Sequence, residues 1–399
     1  MRKALGLVHR WFGLVMALFL MLVGATGMCI AWFGELDRLA WPAIQSVQAP
    51  TPAAEPLTAL ALRQTVLQMH PGWTINQLEL EASEPTSLPV SLALTPVSSG
   101  RNEPAIEQWF DPYTGQEVGR RHWGDLSEGR KNLMPFIYRL HESLALDTWG
   151  GHVLGIIALI WTIDCFVGAY LTLPRGRPFF KKWRISWQIK PQRFNFDLHR
   201  ASGLWVWAML FVMAWSSVGF NLREVYTPVM RTLFTYHDDW AELTDLPAPR
   251  VTPVLRFDAA LDLGRQLASD ESHRLGFRIE RETRLMYNPE KGLYGYAVRS
   301  DRDVRSTGGS TVVWFDGQTG RLVRSSLPTG QFSGNTIASW LGSLHTAIVG
   351  GLPYRIFITV LGLIIVTLSV TGVIIWWRKR RARIGGRRFD RQAKFVTHP

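Results

Sequence analysis

At 399 residues, 47% hydrophobic and with a formal net charge of +12, the chain has length for two or three soluble domains, yet its long uncharged apolar runs exclude a wholly soluble protein. The basic charge collects beside those runs, which makes it topological and excludes a nucleic-acid footprint. The two cysteines, Cys29 and Cys165, lie inside apolar runs, so the chain carries no disulfide framework, no CxxC redox motif and no cysteine zinc site.

In chain order, residues 1–33 read as a cytoplasmic stub and a first span. Its apolar run, Trp11 to Phe33, follows Arg2, Lys3 and Arg10 and is too long for the centre of a signal peptide; no small-x-small cleavage site follows it. Residues 34–150 form a first long insert. It contains a helix-like segment from Leu57 to Gln68, a strand-like run from Pro89 to Thr95, and Trp109-Phe110-Asp111-Pro112-Tyr113-Thr114-Gly115, an apolar strand entering a turn. A second span covers 151–173. The loop 174–197 follows, with Arg175, Arg177, Lys181, Lys182, Arg184, Lys190 and Arg193 and no acid among them. A third span covers 198–222, its apolar run being Leu204 to Leu222. The second insert, 223–350, repeats the pattern with a helix-like Phe257 to Ala268, a strand-like Gly292 to Val298, and Trp314-Phe315-Asp316-Gly317-Gln318-Thr319-Gly320. A fourth span, 351–377, leads to a basic tail, 378–399. Each apolar run is near the roughly 20 residues that cross about 30 Å of hydrocarbon. Stub, loop and tail together carry +18, leaving −6 for the rest. By the positive-inside rule both termini and the loop are cytoplasmic and the inserts face outward.

The chain is written twice. His9-Arg10-Trp11-Phe12-Gly13-Leu14 and His199-Arg200-Ala201-Ser202-Gly203-Leu204 share H-R-x-x-G-L, 190 residues apart. Leu140-His141 and Leu344-His345 stand before the second and fourth spans, 204 residues apart, each followed by a Gly-Gly pair. The expected fold is therefore an integral membrane protein with four transmembrane α-helices in two parallel repeats, carrying two small α+β outer domains. Repeats of shared orientation pair about an axis along the membrane normal, so span one meets span three near the cytoplasm and span two meets span four at the outer surface.

This geometry makes two facing pairs, His9 with His199 and His141 with His345. Opposed neutral imidazoles suit the iron of a b-type haem built for electron transfer, and no C-x-x-C-H motif is present for covalent attachment. Gly13 and Gly203 lie four residues after their histidines on the same helical face, leaving room for a flat macrocycle, although such glycines also mark close helix packing. Trp11, Trp32, Trp205, Trp207 and Trp215 would supply apolar walls. Arg10, Arg200 and Arg355 are candidate partners for haem propionates; for Arg10 and Arg200 ordinary membrane anchoring explains the residue equally well. His152 is a rival outer ligand, a polar cap or a propionate contact, without a histidine at its repeat counterpart. Asp164 sits mid-span, where an ionisable group is costly: it is either protonated and bonded to Ser216, Ser217 or Thr367, or has a proton or quinone role. His70, His122, His237, His273 and His398 have no repeat counterpart and read as surface residues.

In these motifs the sequence resembles the PepSY-associated transmembrane family, with its H-R-x-x-G-L and L-H helix starts and PepSY-type domains ending in D-x-x-T-G, over nearly the whole chain. Within that family it looks most like ferric-siderophore reductases of the ferrioxamine type in the bacterial inner membrane. The resemblance implies two b-type haems per chain relaying electrons from the cytoplasmic side to a ferric chelate in the periplasm, with His9, His199, His141 and His345 as ligands. His152 stands where many members have a basic residue. No cytoplasmic segment offers a strand followed by G-x-G-x-x-G, so the electron donor is expected to be a cytoplasmic reductase or quinol. The rival expectation is a haem-free PepSY-type binding or regulatory protein acting on a periplasmic protease or envelope partner. A transporter ranks below both, since no span carries an internal proline at midplane.

Overall fold

A computed structural model of the chain describes residues 1–44, 46–51, 53–80, 90–96, 106–172, 183–187 and 190–396. In chain order the first helices are α1 (Arg2–Ile30), α2 (Phe33–Ala40), α3 (Ala59–Met69), α4 (Leu133–Ser143), α5 (Asp147–Thr172) and α6 (Pro191–Trp205). They continue with α7 (Trp207–Asn221), α8 (Arg223–Leu233), α9 (Asp239–Glu242), α10 (Phe257–Leu275), α11 (Ser333–His345) and α12 (Gly351–Val396). The strands of the first insert are β1 (Trp73–Ile75), β2 (Gln77–Glu79), β3 (Val90–Leu92), β4 (Leu94–Pro96), β5 (Ile106–Phe110) and β6 (Glu117–His122). Those of the second are β7 (Ile279–Asn288), β8 (Leu293–Ser300), β9 (Thr311–Asp316) and β10 (Leu322–Ser326). The chain divides into a helical unit, Met1–Ala31 with Arg139–Tyr226 and Leu352–Pro399, and a sheet-containing unit, Trp32–Tyr138 with Thr227–Gly351.

In the helical unit α1, α5 and α12 (through Ala382) are long and apolar enough to cross a membrane, and a fourth span is reached if α6 and α7 count as one bent element. The third span was expected to be unbroken. Instead α6 and α7 meet at 69°, with Val206 at φ −112° and ψ 15° between them. The tryptophans on either side hold the bend: Trp205 Nε1 donates to Trp183 O (3.0 Å) and Trp207 Nε1 to Cys165 O (2.8 Å). No proline marks the break, but the Ser202-Gly203 pair lies in the turn before it, with Ser202 Oγ donating back to Leu198 O (2.7 Å), so the absence of proline from the run says nothing about its continuity. Within the unit α5 packs along both α1 and α7. Gly24 of α1 and Gly362 of α12 let those helices touch: a Cβ on Gly362 would stand 2.8 Å from Gly24 O. Of the basic loop, Arg175, Arg177, Lys181 and Lys182 lie outside the described residues.

The other unit departs from the expectation of two separate small domains. Strand β2 of the first insert pairs antiparallel with β7 of the second, giving one five-stranded sheet in the order β10-β9-β8-β7-β2. Leu62, Val66, Ile75, Leu78 and Phe110 share a core with Phe257, Leu285, Tyr294, Val313 and Phe315. Joining the inserts enlarges the core that either short set of strands would have alone. Helix α10 covers the sheet through Ala260, Gly264 and Ala268, small residues at four-residue spacing. The remaining strands form a three-stranded sheet, β3-β5-β6, and a pair, β1-β4.

The repeated turns have the same geometry. Asp111 accepts from the amides of Tyr113 (2.7 Å) and Thr114 (3.3 Å); Asp316 accepts from those of Gln318 (2.9 Å) and Thr319 (2.7 Å). Each closes on a glycine in the left-handed region, Gly115 and Gly320, both at φ +71°.

Candidate functional site

His9 lies inside α1 and His199 inside α6, and the fold brings them face to face with ring centroids 6.2 Å apart. A metal–imidazole bond of about 2 Å on each side of one ion places two ring centroids roughly 6 Å apart. The pairing expected from the repeat is thus present for these two residues.

What holds each ring was only partly legible. His9 Nδ1 lies 2.9 Å from both carboxylate oxygens of Asp164 on α5. His199 Nδ1 lies 3.0 Å from Leu368 O and 3.0 Å from Thr371 Oγ1, both on α12. In α4, His141 Nδ1 lies 3.0 Å from Thr26 Oγ1 of α1, whose own proton goes to Leu22 O (2.8 Å). A carboxylate, a carbonyl and a hydroxyl already donating elsewhere all accept, so Nδ1 carries the proton in each ring. In a neutral ring held this way Nε2 carries the lone pair, the arrangement that orients a metal-binding histidine. The expected partners of Asp164 are corrected: Ser216, Ser217 and Thr367 donate to main-chain carbonyls of their own helices, and Asp164 serves His9.

Each of these rings also rests against a glycine of another helix. A Cβ on Gly168 would stand 3.6 Å from His9 Cε1, on Gly372 3.3 Å from His199 Cε1, and on Gly27 3.1 Å from His141 Cε1. These glycines were missed, although a signal existed: Gly168 and Gly372 are 204 residues apart, the offset of His141 and His345. Asp164 and Leu368 share that offset too. Gly13 and Gly203 behave differently from one another. Among the described residues nothing lies within 4 Å of a Cβ on Gly13, whereas one on Gly203 would meet Leu368 Cδ2 at 3.4 Å.

His141 stands before the second span, as expected. It sits in the short α4, and the chain turns into α5 through Leu144, Ala145 and Asp147, all at positive φ (54°, 56° and 50°). His345 is the last residue of α11, in the other unit. His152 is exposed on α5; its Nδ1 donates to Thr148 O (2.7 Å), and it lines an open cleft of about 260 Å³ with Glu142, Asp147, Phe220 and Asn221. Of the arginines, Arg200 pairs with Asp197 (2.9 Å), and Arg355 Nε donates to Ala31 O (2.9 Å), just beyond the end of α1. Arg10 differs: its Nε is buried and has no hydrogen-bond partner among the described residues.

These features fit haem. Among the described residues no group of three or more His, Cys, Asp or Glu could hold a metal ion; His9 and His199 would hold the iron of a haem whose tetrapyrrole supplied the other ligands. The open space at Gly13 would admit a flat ring, and the orphaned Arg10 Nε is a donor for a propionate. No curated protein matches the sequence. The family model of the PepSY-associated TM region matches residues 7–379, and the chain belongs to that family of membrane proteins.

Proposed function

We propose that the protein is a membrane oxidoreductase with two b-type haems per chain that reduces a ferric siderophore and releases Fe(II). The observation that carries this reading is the facing pair His9 and His199, each with Nδ1–H held by an acceptor and Nε2 left to bind. Haem held there would supply a one-electron Fe(III)/Fe(II) couple. His9 and His199 would ligate one haem, with Arg10 on a propionate; for the second haem the resemblance names His141 and His345. Asp164, Leu368, Thr371 and Thr26 fix the ring tautomers in advance. The membrane would be the bacterial inner membrane, with both termini cytoplasmic and the inserts periplasmic, and a cytoplasmic reductase or quinol would be the donor.

The substrate is the one that the resemblance to ferric-siderophore reductases implies, and donor hardness says why reduction would free the iron. Hydroxamate and catecholate oxygens favour Fe(III) over Fe(II), so adding one electron to the chelated Fe(III) weakens its hold on the metal. In the test, purified protein is reduced with dithionite without oxygen, freed of excess reductant and mixed with a ferric hydroxamate siderophore beside a coloured Fe(II) chelator. Reoxidation of the haem with matching Fe(II) capture is expected; haem that stays reduced would refute the substrate. A colourless, folded protein from haem-replete cells would favour a binding or regulatory role for the inserts.

A further inference from the structure

We infer that Asp164 is a positioning residue that makes the two halves of the repeat electrically unequal, holding the haem on His9 and His199 at a lower potential than a neutral acceptor would; this rests on the haem reading above. Asp164 on α5 and Leu368 on α12 stand at equivalent repeat positions, 204 residues apart, and each faces the histidine of its own half. The second half holds His199 with two neutral acceptors, a main-chain carbonyl and the Thr371 hydroxyl. The first half holds His9 with a carboxylate, both oxygens at 2.9 Å and the side chain 9% exposed.

Orientation alone does not need this difference. A carbonyl and a hydroxyl fix the His199 tautomer as well as a carboxylate fixes that of His9, and a charge inside a span is costly. Among the described residues His9 is the hydrogen-bonded partner of Asp164, whose charge also reaches His199, and no lysine or arginine pairs with it. A carboxylate on Nδ1–H raises the basicity of the ring and places negative charge near the metal, and both effects stabilise Fe(III) over Fe(II). One ligand of the His9–His199 site therefore carries a charge at its Nδ1, whereas His141, assigned to the other haem, faces the neutral Thr26 hydroxyl there, so the bias falls on the first haem.

The test is a spectroelectrochemical titration of the purified full chain as wild type, Asp164→Asn, Asp164→Thr and Asp164→Glu, with haem per chain quantified alongside. The threonine variant copies the hydroxyl acceptor that His199 already uses and provides a second neutral side chain should the asparagine variant fold poorly. Both neutral variants are expected to keep their haem and to show one midpoint raised, with the ferric to ferrous ratio at fixed solution potential falling about tenfold, or about 59 mV for a one-electron couple. The glutamate variant, which keeps the charge, should lie nearer wild type. The second midpoint should not move, and His9→Ala should remove the haem that shifted. Unchanged midpoints in the neutral variants, or a shift in the haem that His9→Ala retains, would overturn the inference. Wild type without haem would overturn the reading beneath it, a result distinguishable at the first spectrum.

Discussion

Alanine at the three glycines that face histidines should produce a graded response. The new Cβ would lie 3.1 Å from His141 Cε1 at position 27, 3.3 Å from His199 Cε1 at 372, and 3.6 Å from His9 Cε1 at 168. The last is ordinary contact and the first is tighter than side chains normally tolerate. Replacing a mid-helix glycine gains about 0.5–1 kcal/mol in backbone entropy, whereas overpacking costs about 1–3 kcal/mol. At Gly168 the gain stands alone, so Gly168→Ala should stabilise the protein slightly and keep its haem. At Gly27 the cost dominates. His141 must move by a few tenths of an ångström against its 3.0 Å contact with Thr26, in a helix that ends at a turn of positive φ. A misplaced ligand worth about 1–3 kcal/mol lowers affinity by roughly 5- to 150-fold. Gly372→Ala should fall between. Haem per chain after dilution, together with thermal melting in one detergent, measures the series. Equal haem retention at 27 and 168, or the reverse order, would refute the reasoning.

Gly13→Leu should leave folding intact, because among the described residues nothing lies within 4 Å of its Cβ, yet lower the content of the haem that His9→Ala removes; full retention in an absorption spectrum would count against a macrocycle in that space. Arg121, with a fully buried side chain, is bonded to Asp37 (2.7 and 2.9 Å) and Glu107 (2.6 Å). Arg121→Ala strands the buried Asp37 carboxylate, so denaturant unfolding of the sheet-containing unit should show a loss of about 3–5 kcal/mol. Glu128 supplies a pH test: burial alone would raise its carboxyl, but hydrogen bonds from His122 and Lys131 dominate and hold it at about 2, below the usual 4.5. Its stabilisation is therefore fully present above about pH 4.5 and is lost as pH falls through 4.5 toward 2. Glu128→Gln should flatten that part of the acid-unfolding curve, and an unchanged curve would contradict the sign.

Much of this was legible in the sequence because the chain repeats itself. The helix expected over Leu57 to Gln68 appears as Ala59–Met69, the strand expected from Gly292 to Val298 as Leu293–Ser300, and both Asp-x-x-Thr-Gly turns form. The meeting of His9 and His199 was readable because a parallel repeat dictates which helix ends face one another. Pairing within the sheet was not: β2 is three residues long, and nothing local says that Leu78 will sit beside Leu285 of the other insert. The bend at Val206 was missed because only proline was looked for, whereas the local signal is the Ser202-Gly203 pair, and the indole bonds across the bend reach carbonyls distant in the chain. The partner of Asp164 was missed for a related reason. Hydroxyls were sought for it at matching depth, while Ser216, Ser217 and Thr367 already donate within their own helices. Comparing its position with Leu368, which faces His199, points directly to His9.

The most direct test of the central claim is a reduced-minus-oxidised spectrum with pyridine haemochrome quantitation on purified wild type, His9→Ala and His199→Ala. The account predicts a b-type spectrum with about two haems per chain in the wild type, and about one in each variant, the same one being lost in both. Full haem content in either variant, or loss of different haems in the two, would contradict it.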